Sequence, residues 1–175
     1  LYDLIGIDLM ADVLKSFIKE LSDKDEFQIV AKEIPLVKKL IERGYTGRKG
    51  KGGFYRMNKS GDQKILEAIN LETGDYSATK KIDLGIETVD INNLINRKDK
   101  FGEYAWVVIS KIIKYASSLV PGITDKFNDI DEAMRLGFNW AMGPFEMLKS
   151  IGVKNFFKRI DTVSYTHLTL PTILR

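Results

Sequence analysis

At 175 residues and 44% hydrophobic, the chain is long enough for one sizeable core or two smaller ones. Its 27 basic and 24 acidic residues leave a formal net charge of +3, which is too balanced to indicate a nucleic-acid partner. The sequence contains no cysteine, which excludes disulfides, zinc-thiolate sites and a thiol nucleophile and fits a cytoplasmic protein. No apolar run reaches membrane-spanning length.

The first part of the chain predicts two helices. Asp8 is a good N-cap for a helix over residues 9–21, and we expect its broad apolar face to be turned to the core. That face consists of Leu9, Met10, Val13, Leu14, Phe17, Ile18 and Leu21. Pro35 opens a second helix, which Gly44 ends.

A glycine-rich basic stretch, GRKGKGGFY, occupies residues 47–55. Its backbone amides, together with Arg48, Lys49 or Lys51, could hold phosphate groups. The same glycines also fit a structural turn with positive φ angles. The turn is the favoured interpretation, because the stretch is not a phosphate-binding fingerprint between a strand and a helix.

Three segments with alternating or β-forming residues come next, at 54–57, 64–70 and 75–79, and ETGD at 72–75 is a plausible hairpin turn. They predict a small β-meander. Residues 83–100 mix glycine, asparagine and charge with short apolar pieces, which indicates a connector with one short helix and the domain boundary.

Residues 103–120 predict a helix with one apolar side, which we expect to pack against the helix that begins at 129. Its buried positions are Trp106, Ile109, Ile113, Ala116 and Val120.

The segment 129–146 predicts a helix, an aromatic turn and a second helix. An apolar stripe runs through Ile130, Ala133, Met134 and Gly137, and the solvated face carries Asp129, Asp131, Glu132 and Arg135. Gly137 is expected to end the first helix in a left-handed conformation, and Pro144 to begin the next. The acidic cluster is not expected to bind a metal, because residues two apart on a helix point away from each other.

In this order of features, DIDEAMRLGFNWAMGPFEM resembles the signature of the C-terminal helical domain of 3-hydroxyacyl-CoA dehydrogenases. GRKGKGGFY is the second match, because the family domain closes with Gly-x-Lys-Thr-Gly-x-Gly-Phe-Tyr. Gly50 and Lys51 depart from that pattern, where Thr and Gly are usual. The resemblance implies a mainly α fold, a 6-phosphogluconate dehydrogenase C-terminal-like helical bundle.

Two segments of the chain also resemble each other. Residues 147–154 align with residues 1–8 at a constant offset, with Ile5 opposite Ile151 and Gly6 opposite Gly152. Some multifunctional fatty-acid oxidation proteins carry two consecutive copies of this domain. The resemblance therefore implies an internal fragment that contains the end of one copy at 1–57, the β-hairpin and connector at 58–100, and a truncated second copy at 101–162. Residues 163–175 look like translated sequencing adapter, so we expect a non-native tail.

The resemblance implies the C-terminal region of an NAD-dependent 3-hydroxyacyl-CoA dehydrogenase of fatty-acid β-oxidation. Its helices would close over the acyl-CoA site and form contacts in a homo-oligomer, while a missing upstream domain would supply NAD and the catalytic base. His167 is the only histidine and lies in the expected tail, so no catalytic, cofactor-binding or metal-binding residue is predicted. Arg48, Lys49 and Lys51 are the candidates for the coenzyme A phosphates.

Two other functions are compatible with the sequence. The helices could form a dimerisation module without enzymatic activity. Alternatively, Arg43, Arg48, Lys49 and Lys51 could bind nucleic acid weakly, which would show as a steep dependence of binding on salt.

Overall fold

The structure is a computed structural model that describes residues 1–59, 63–81 and 90–162. The chain divides into two compact units, Leu1–Asp83 and Leu84–Arg175. As predicted, the described residues are mostly helical and include a small antiparallel sheet. No helix among them is long and apolar enough to cross a membrane. The expected tail at 163–175 lies outside the described residues.

The first unit begins with four helices: α1 (Tyr2–Ile5), α2 (Ile7–Glu20), α3 (Phe27–Val30) and α4 (Pro35–Glu42). Pro35 begins α4 and Gly44 comes just after its end, as predicted. The N-cap prediction for Asp8 is wrong, because α2 starts earlier, with Gly6 at the N-cap and Asp8 inside the first turn. The backbone at Gly6 has φ 121°, which makes a sharp joint between α1 and α2.

Helix α2 covers its apolar face only in part. Ile7 is fully buried, but the side chains of Leu9 and Phe17 are 52% and 50% exposed. The expectation of a wholly core-facing helix is therefore wrong. The physical reason is that α4 contacts α2 over only part of this face, so a groove remains open between the two helices.

The predicted meander is confirmed as strands β1 (Tyr55–Asn58), β2 (Ile65–Ile69) and β3 (Tyr76–Ala78), which pair antiparallel in the order β1-β2-β3. Ile69 at the end of β2 is buried with Ile7 and Leu40. Three aromatic residues, Tyr45, Phe54 and Tyr76, pack around that cluster. The sheet thus shares its core with the helices of the first unit.

The second unit contains α5 (Ile91–Ile95), α6 (Lys100–Ser118), α7 (Phe127–Phe138), α8 (Pro144–Ile151) and α9 (Val153–Thr162). Asp99 caps α6, because its carboxylate accepts hydrogen bonds from the amides of Phe101 and Gly102, both at 3.1 Å. The core is formed by Ile95, Ala105, Trp106, Ile113, Leu148, Ile151, Phe156 and Ile160.

Helix α6 buries the face that its sequence predicts. Trp106, Ile113, Ala116 and Val120 are buried, and Ile109 packs against the same core. The predicted partner is different, however: α6 packs on α5 and α8, while α7 packs on α8. Helix α8 therefore lies at the centre of the unit and supports both neighbours.

Helix α7 differs from its predicted pattern in two ways. Asp131, expected on the solvated face, is buried, whereas Ala133 and Gly137 of the expected apolar stripe are exposed. The helix also continues to Phe138, and it is Asn139 with φ 54° that adopts the left-handed conformation. Asparagine tolerates this conformation because its short polar side chain can form local hydrogen bonds. The burial of Asp131 has a structural cause, which lies in its contact with α8.

Candidate functional site

The glycine-rich loop at 47–55 is tied to the start of the chain by Asp3. The Asp3 carboxylate accepts hydrogen bonds from the amides of Phe54 at 2.9 Å and Tyr55 at 2.7 Å. Its backbone carbonyl accepts a third, from the amide of Arg48 at 2.8 Å. One half-buried residue therefore holds both ends of the loop.

The backbone amides of this loop point towards acceptors of the protein itself. Those that donate within the unit are the amides of Gly47, Arg48, Gly50, Lys51, Gly53, Phe54 and Tyr55. A phosphate cradle needs several amides that are directed at the ligand. The geometry thus favours the structural interpretation of the glycines, and leaves phosphate binding to the basic side chains.

The three basic candidates differ in what they contact. The Lys51 ammonium donates to the carbonyl of Arg43 at 3.3 Å, where it caps the end of α4. Arg48 and Lys49 lie at the tip of the loop with exposed side chains. Arg48 and Lys49 are therefore free to meet a ligand, whereas Lys51 would first have to leave the helix end.

The segment with the strongest family resemblance folds into a second aspartate-centred contact. The Asp131 carboxylate of α7 accepts hydrogen bonds from the amides of Phe145 at 2.8 Å and Glu146 at 3.2 Å, in the first turn of α8. Pro144 has no amide proton, and the amide of Met147 already donates to the carbonyl of Gly143 at 2.9 Å. Asp131 thus satisfies the remaining amides of the α8 N-terminus.

Gly143 makes this contact possible. Its backbone lies so close to Asp131 that a Cβ atom there would overlap the Cα, Cβ and carboxylate of that residue. The carboxylate of Glu146 closes the turn by accepting from the amide of Gly143 at 2.8 Å and from Arg135 at 2.8 Å. Glycine, proline and glutamate at these positions therefore each have a physical role in joining α7 to α8.

Burial dominates the electrostatics of Asp131. Desolvation raises the pKa of its carboxyl group above the ordinary value, and the nearby negative charge of Glu146 raises it further. The hydrogen bond from the Phe145 amide acts in the opposite direction, because it stabilises the ionised form. Ionised Asp131 also lies at the positive end of the α8 dipole.

An apolar groove of about 740 Å³ is the third feature of note, and it lies between α2 and α4 in the first unit. Its apolar wall includes Met10, Val13, Leu14, Phe17, Val37 and Ile41. Charged residues of both signs, Lys15, Glu33, Lys38 and Glu42, line it as well. Among the described residues, no three histidine, aspartate or glutamate side chains come together as a metal site would require.

Comparison with protein families matches residues 1–57 and 107–168 to the 3-hydroxyacyl-CoA dehydrogenase, C-terminal domain family. The chain belongs to this family. The two matched stretches contain the two aspartate contacts, one each, and the resemblance stated from the sequence is confirmed. Because the second match continues past Thr162, the expected boundary of the tail stays a prediction.

Three curated relatives of this C-terminal domain chain carry related names. It is 36% identical over 174 residues to a Rickettsia felis protein named "Putative fatty acid oxidation complex trifunctional enzyme", covering 99% of this chain and 24% of the relative. A Rickettsia prowazekii protein of the same name is 38% identical over 175 residues, with the same coverage. A Bacillus subtilis protein named "Probable 3-hydroxyacyl-CoA dehydrogenase" is 29% identical over 167 residues, covering 91% of this chain and 20% of the relative.

The chain therefore spans about a quarter of the length of the first two relatives. No solved structure matches it.

The sequence analysis identified both family segments but not the aspartate contact inside each of them. It named Arg48, Lys49 and Lys51 on the loop, and the structure places all three there, with Lys51 bonded to Arg43. It did not identify Asp3, and it assigned Asp131 to solvent. A signal for Asp131 was present in the sequence, because Gly-Pro predicts a helix start that lacks a side-chain cap of its own.

Proposed function

We propose that this chain is part of a multifunctional 3-hydroxyacyl-CoA dehydrogenase of fatty-acid oxidation, in which its helices complete the acyl-CoA site. The observation that carries the proposal is that both family-matched stretches fold around a tight aspartate-glycine contact. Such contacts fix the positions of helices, which is what a substrate-closing domain needs. The names of the three relatives point to the same chemistry.

The base and the NAD would come from another part of the parent protein, meaning the longer protein that contains this chain. Oxidation of a secondary alcohol requires a group that accepts the hydroxyl proton. The relatives are at least four times as long as this chain, which leaves room for a dinucleotide-binding domain. In this scheme the chain alone has no dehydrogenase activity.

We further propose that the chain contains parts of two consecutive copies of the domain. Gly6 and Gly152, which align in the sequence, are both joints between consecutive helices and have positive φ angles of 121° and 86°. The amide of Gly6 donates to the Tyr2 carbonyl, and the amide of Gly152 donates to the Leu148 carbonyl. The two separate family matches support the same arrangement.

Within this scheme Arg48 and Lys49 are the candidates for contact with the coenzyme A phosphates, through their exposed side chains. Lys51 is a weaker candidate for this contact because its side chain caps α4.

The cysteine-free composition supports a cytoplasmic, reducing location for the parent. A homo-oligomer is proposed as well, and sedimentation of the parent would measure it.

The test is an assay of NADH formation from a 3-hydroxyacyl-CoA by three samples: this chain, the dinucleotide-binding domain of the parent, and both together. We expect activity only in the mixture or in the intact parent. Replacing Arg48 and Lys49 by alanine in the parent should raise the KM for the acyl-CoA several-fold, whereas Lys24→Ala, a control for lost positive charge at an exposed position outside the loop and the groove, should not. Turnover by this chain alone would refute the assignment of the chemistry to the upstream part.

A further inference from the structure

The groove between α2 and α4 exposes several apolar side chains. Phe17 and Ile34, both in its lining, are 50% and 57% exposed. Exposed apolar surface that is contiguous over a groove generally marks a place where another element binds. The internal repeat of the chain indicates what that element is.

Helix α9 of the second unit corresponds to α2 of the first. The offset that aligns Gly152 with Gly6 also aligns Phe156 with Met10, and Ile160 with Leu14. Met10 and Leu14 line the open groove, whereas Phe156 and Ile160 are buried at 1% and 6% exposure. The same helix face is thus covered in one unit and open in the other.

Helix α6 contributes to the cover of this face in the second unit, together with α5. The Trp106 ring of α6 packs on Phe156 with a centroid distance of 5.5 Å. The guanidinium of Arg159, which aligns with Val13, lies 4.1 Å from the centre of the same ring. Three neighbouring positions of α9 therefore contact or share a core with α6, and all three equivalents on α2 line the groove.

We propose that the groove is filled by a helix equivalent to α6, encoded upstream of Leu1 in the parent. The constant offset places this helix about 30 to 45 residues before Leu1. Its apolar stripe meets Met10, Val13 and Leu14, and its polar flanks meet the charged residues of the groove. The proposal rests on the two-copy arrangement proposed above, and it adds the identity and position of the missing partner.

Single cysteines are clean probes of the groove, because the sequence has none. Val13→Cys places a thiol in the groove at a position that is now 36% exposed. Ser16→Cys is the matched control, an isosteric change on an exposed position of the same helix that does not line the groove. Each variant is prepared in this chain and in a chain extended upstream by about 50 residues of its parent sequence.

The measurement is the rate of reaction with a small thiol reagent, alongside the helix content by circular dichroism. In the extended chain we expect Cys at position 13 to react at least about ten-fold more slowly than in this chain, and Cys at position 16 to react equally fast in both. Equal rates at position 13 in two folded chains would overturn the proposal. So would slow reaction at position 13 in this chain that speeds up on dilution, because a second copy would then be the occupant. The readout needs neither NAD nor substrate, so an inactive parent with a protected groove refutes the proposed function alone.

Discussion

Asp3 in the first unit and Asp131 in the second make the same kind of contact. Each carboxylate accepts hydrogen bonds from two consecutive amides that come after a glycine. Asp131 is 4% exposed and its partners are the first turn of a helix, whereas Asp3 is half-buried and its partners lead into β1. The same aspartate–amide contact can therefore either start a helix or hold a loop in place, depending on the element that follows the glycine.

The two glycines differ in what surrounds them. A Cβ on Gly143 would overlap the backbone of Asp131 as well as its side chain. The three atoms nearest to a Cβ on Gly53 would all belong to side chains, two to the Asp3 carboxylate and one to the Ile7 methyl group at 2.9 Å. Side chains can rotate away from an intruding methyl group, but the packed backbone of α7 cannot. The contact in the second unit is therefore expected to be less tolerant of a methyl group at its glycine than the contact in the first.

The largest expected effect is that of Gly143→Ala, which should destabilise the second unit by about 3 kcal/mol or more. Gly53→Ala should destabilise the first unit by about 1–2 kcal/mol, because its neighbours can move. Both tryptophans, Trp106 and Trp140, belong to the second unit, so their fluorescence in urea reports that unit alone. Hydrogen exchange at the amides of the first unit measures the other. Equal losses of unfolding free energy in Gly143→Ala and Gly53→Ala would show that the two contacts do not differ in their tolerance.

Removal of the aspartates should be next in size. Asp131→Ala truncates a buried side chain and leaves two half-buried amides at the α8 N-terminus without an acceptor, which should cost about 2–3 kcal/mol. Asp3→Ala should cost about 1 kcal/mol, because water reaches the half-exposed amides. Glu132→Ala, a change at the exposed neighbour of Asp131, is the control and should alter the unfolding free energy little. A similar cost at Glu132 would mean that α7 tolerates no truncation, whatever the role of Asp131.

A smaller effect of opposite sign is expected at Gly137. This glycine lies inside α7 with no atom within 4 Å of the position that a Cβ would take. Gly137→Ala should therefore stabilise the second unit by about 0.5–1 kcal/mol, because alanine favours the helix. A loss of stability in the fluorescence-detected unfolding would show that Gly137 has a packing role.

The smallest expected effect is a change in how the free energy of unfolding depends on pH. Because the folded pKa of Asp131 is raised above the ordinary 3.8, the part of its contribution to stability that comes from this shift is fully present below that pH and is lost as pH rises through the folded value. The unfolding free energy of the wild-type chain, minus that of Asp131→Asn, should therefore fall from pH 3 to pH 6.

For Asp99→Asn we expect the opposite dependence of the unfolding free energy on pH. The Arg97 guanidinium, with help from the Gly102 amide, lowers the pKa of Asp99 to about 2. Its contribution is present above pH 3.8 and is lost as pH falls towards 2. The same slope for both variants would show that the pH dependence does not come from these two groups.

Local patterns predicted the elements well, because they depend on nearby residues. The three strands, the start of α4 at Pro35 and the buried face of α6 all result from periodicity and turn chemistry. The burial of Asp131 was missed because a periodicity rule assigns every carboxylate to solvent, whereas here the amides of another helix compensate it. The contact of Asp3 joins residues 51 and 52 positions apart, which no local pattern contains.

The same spacings bear on the order of folding. The Asp131 contact closes a loop of 14 or 15 residues, whereas the Asp3 contact closes one of 51 or 52, which costs about 1 kcal/mol more in chain entropy. The α7–α8 pair can therefore form early, while the Asp3 contact waits for the rest of its unit. Stopped-flow kinetics should show that Asp131→Ala slows refolding, whereas Asp3→Ala mainly speeds unfolding.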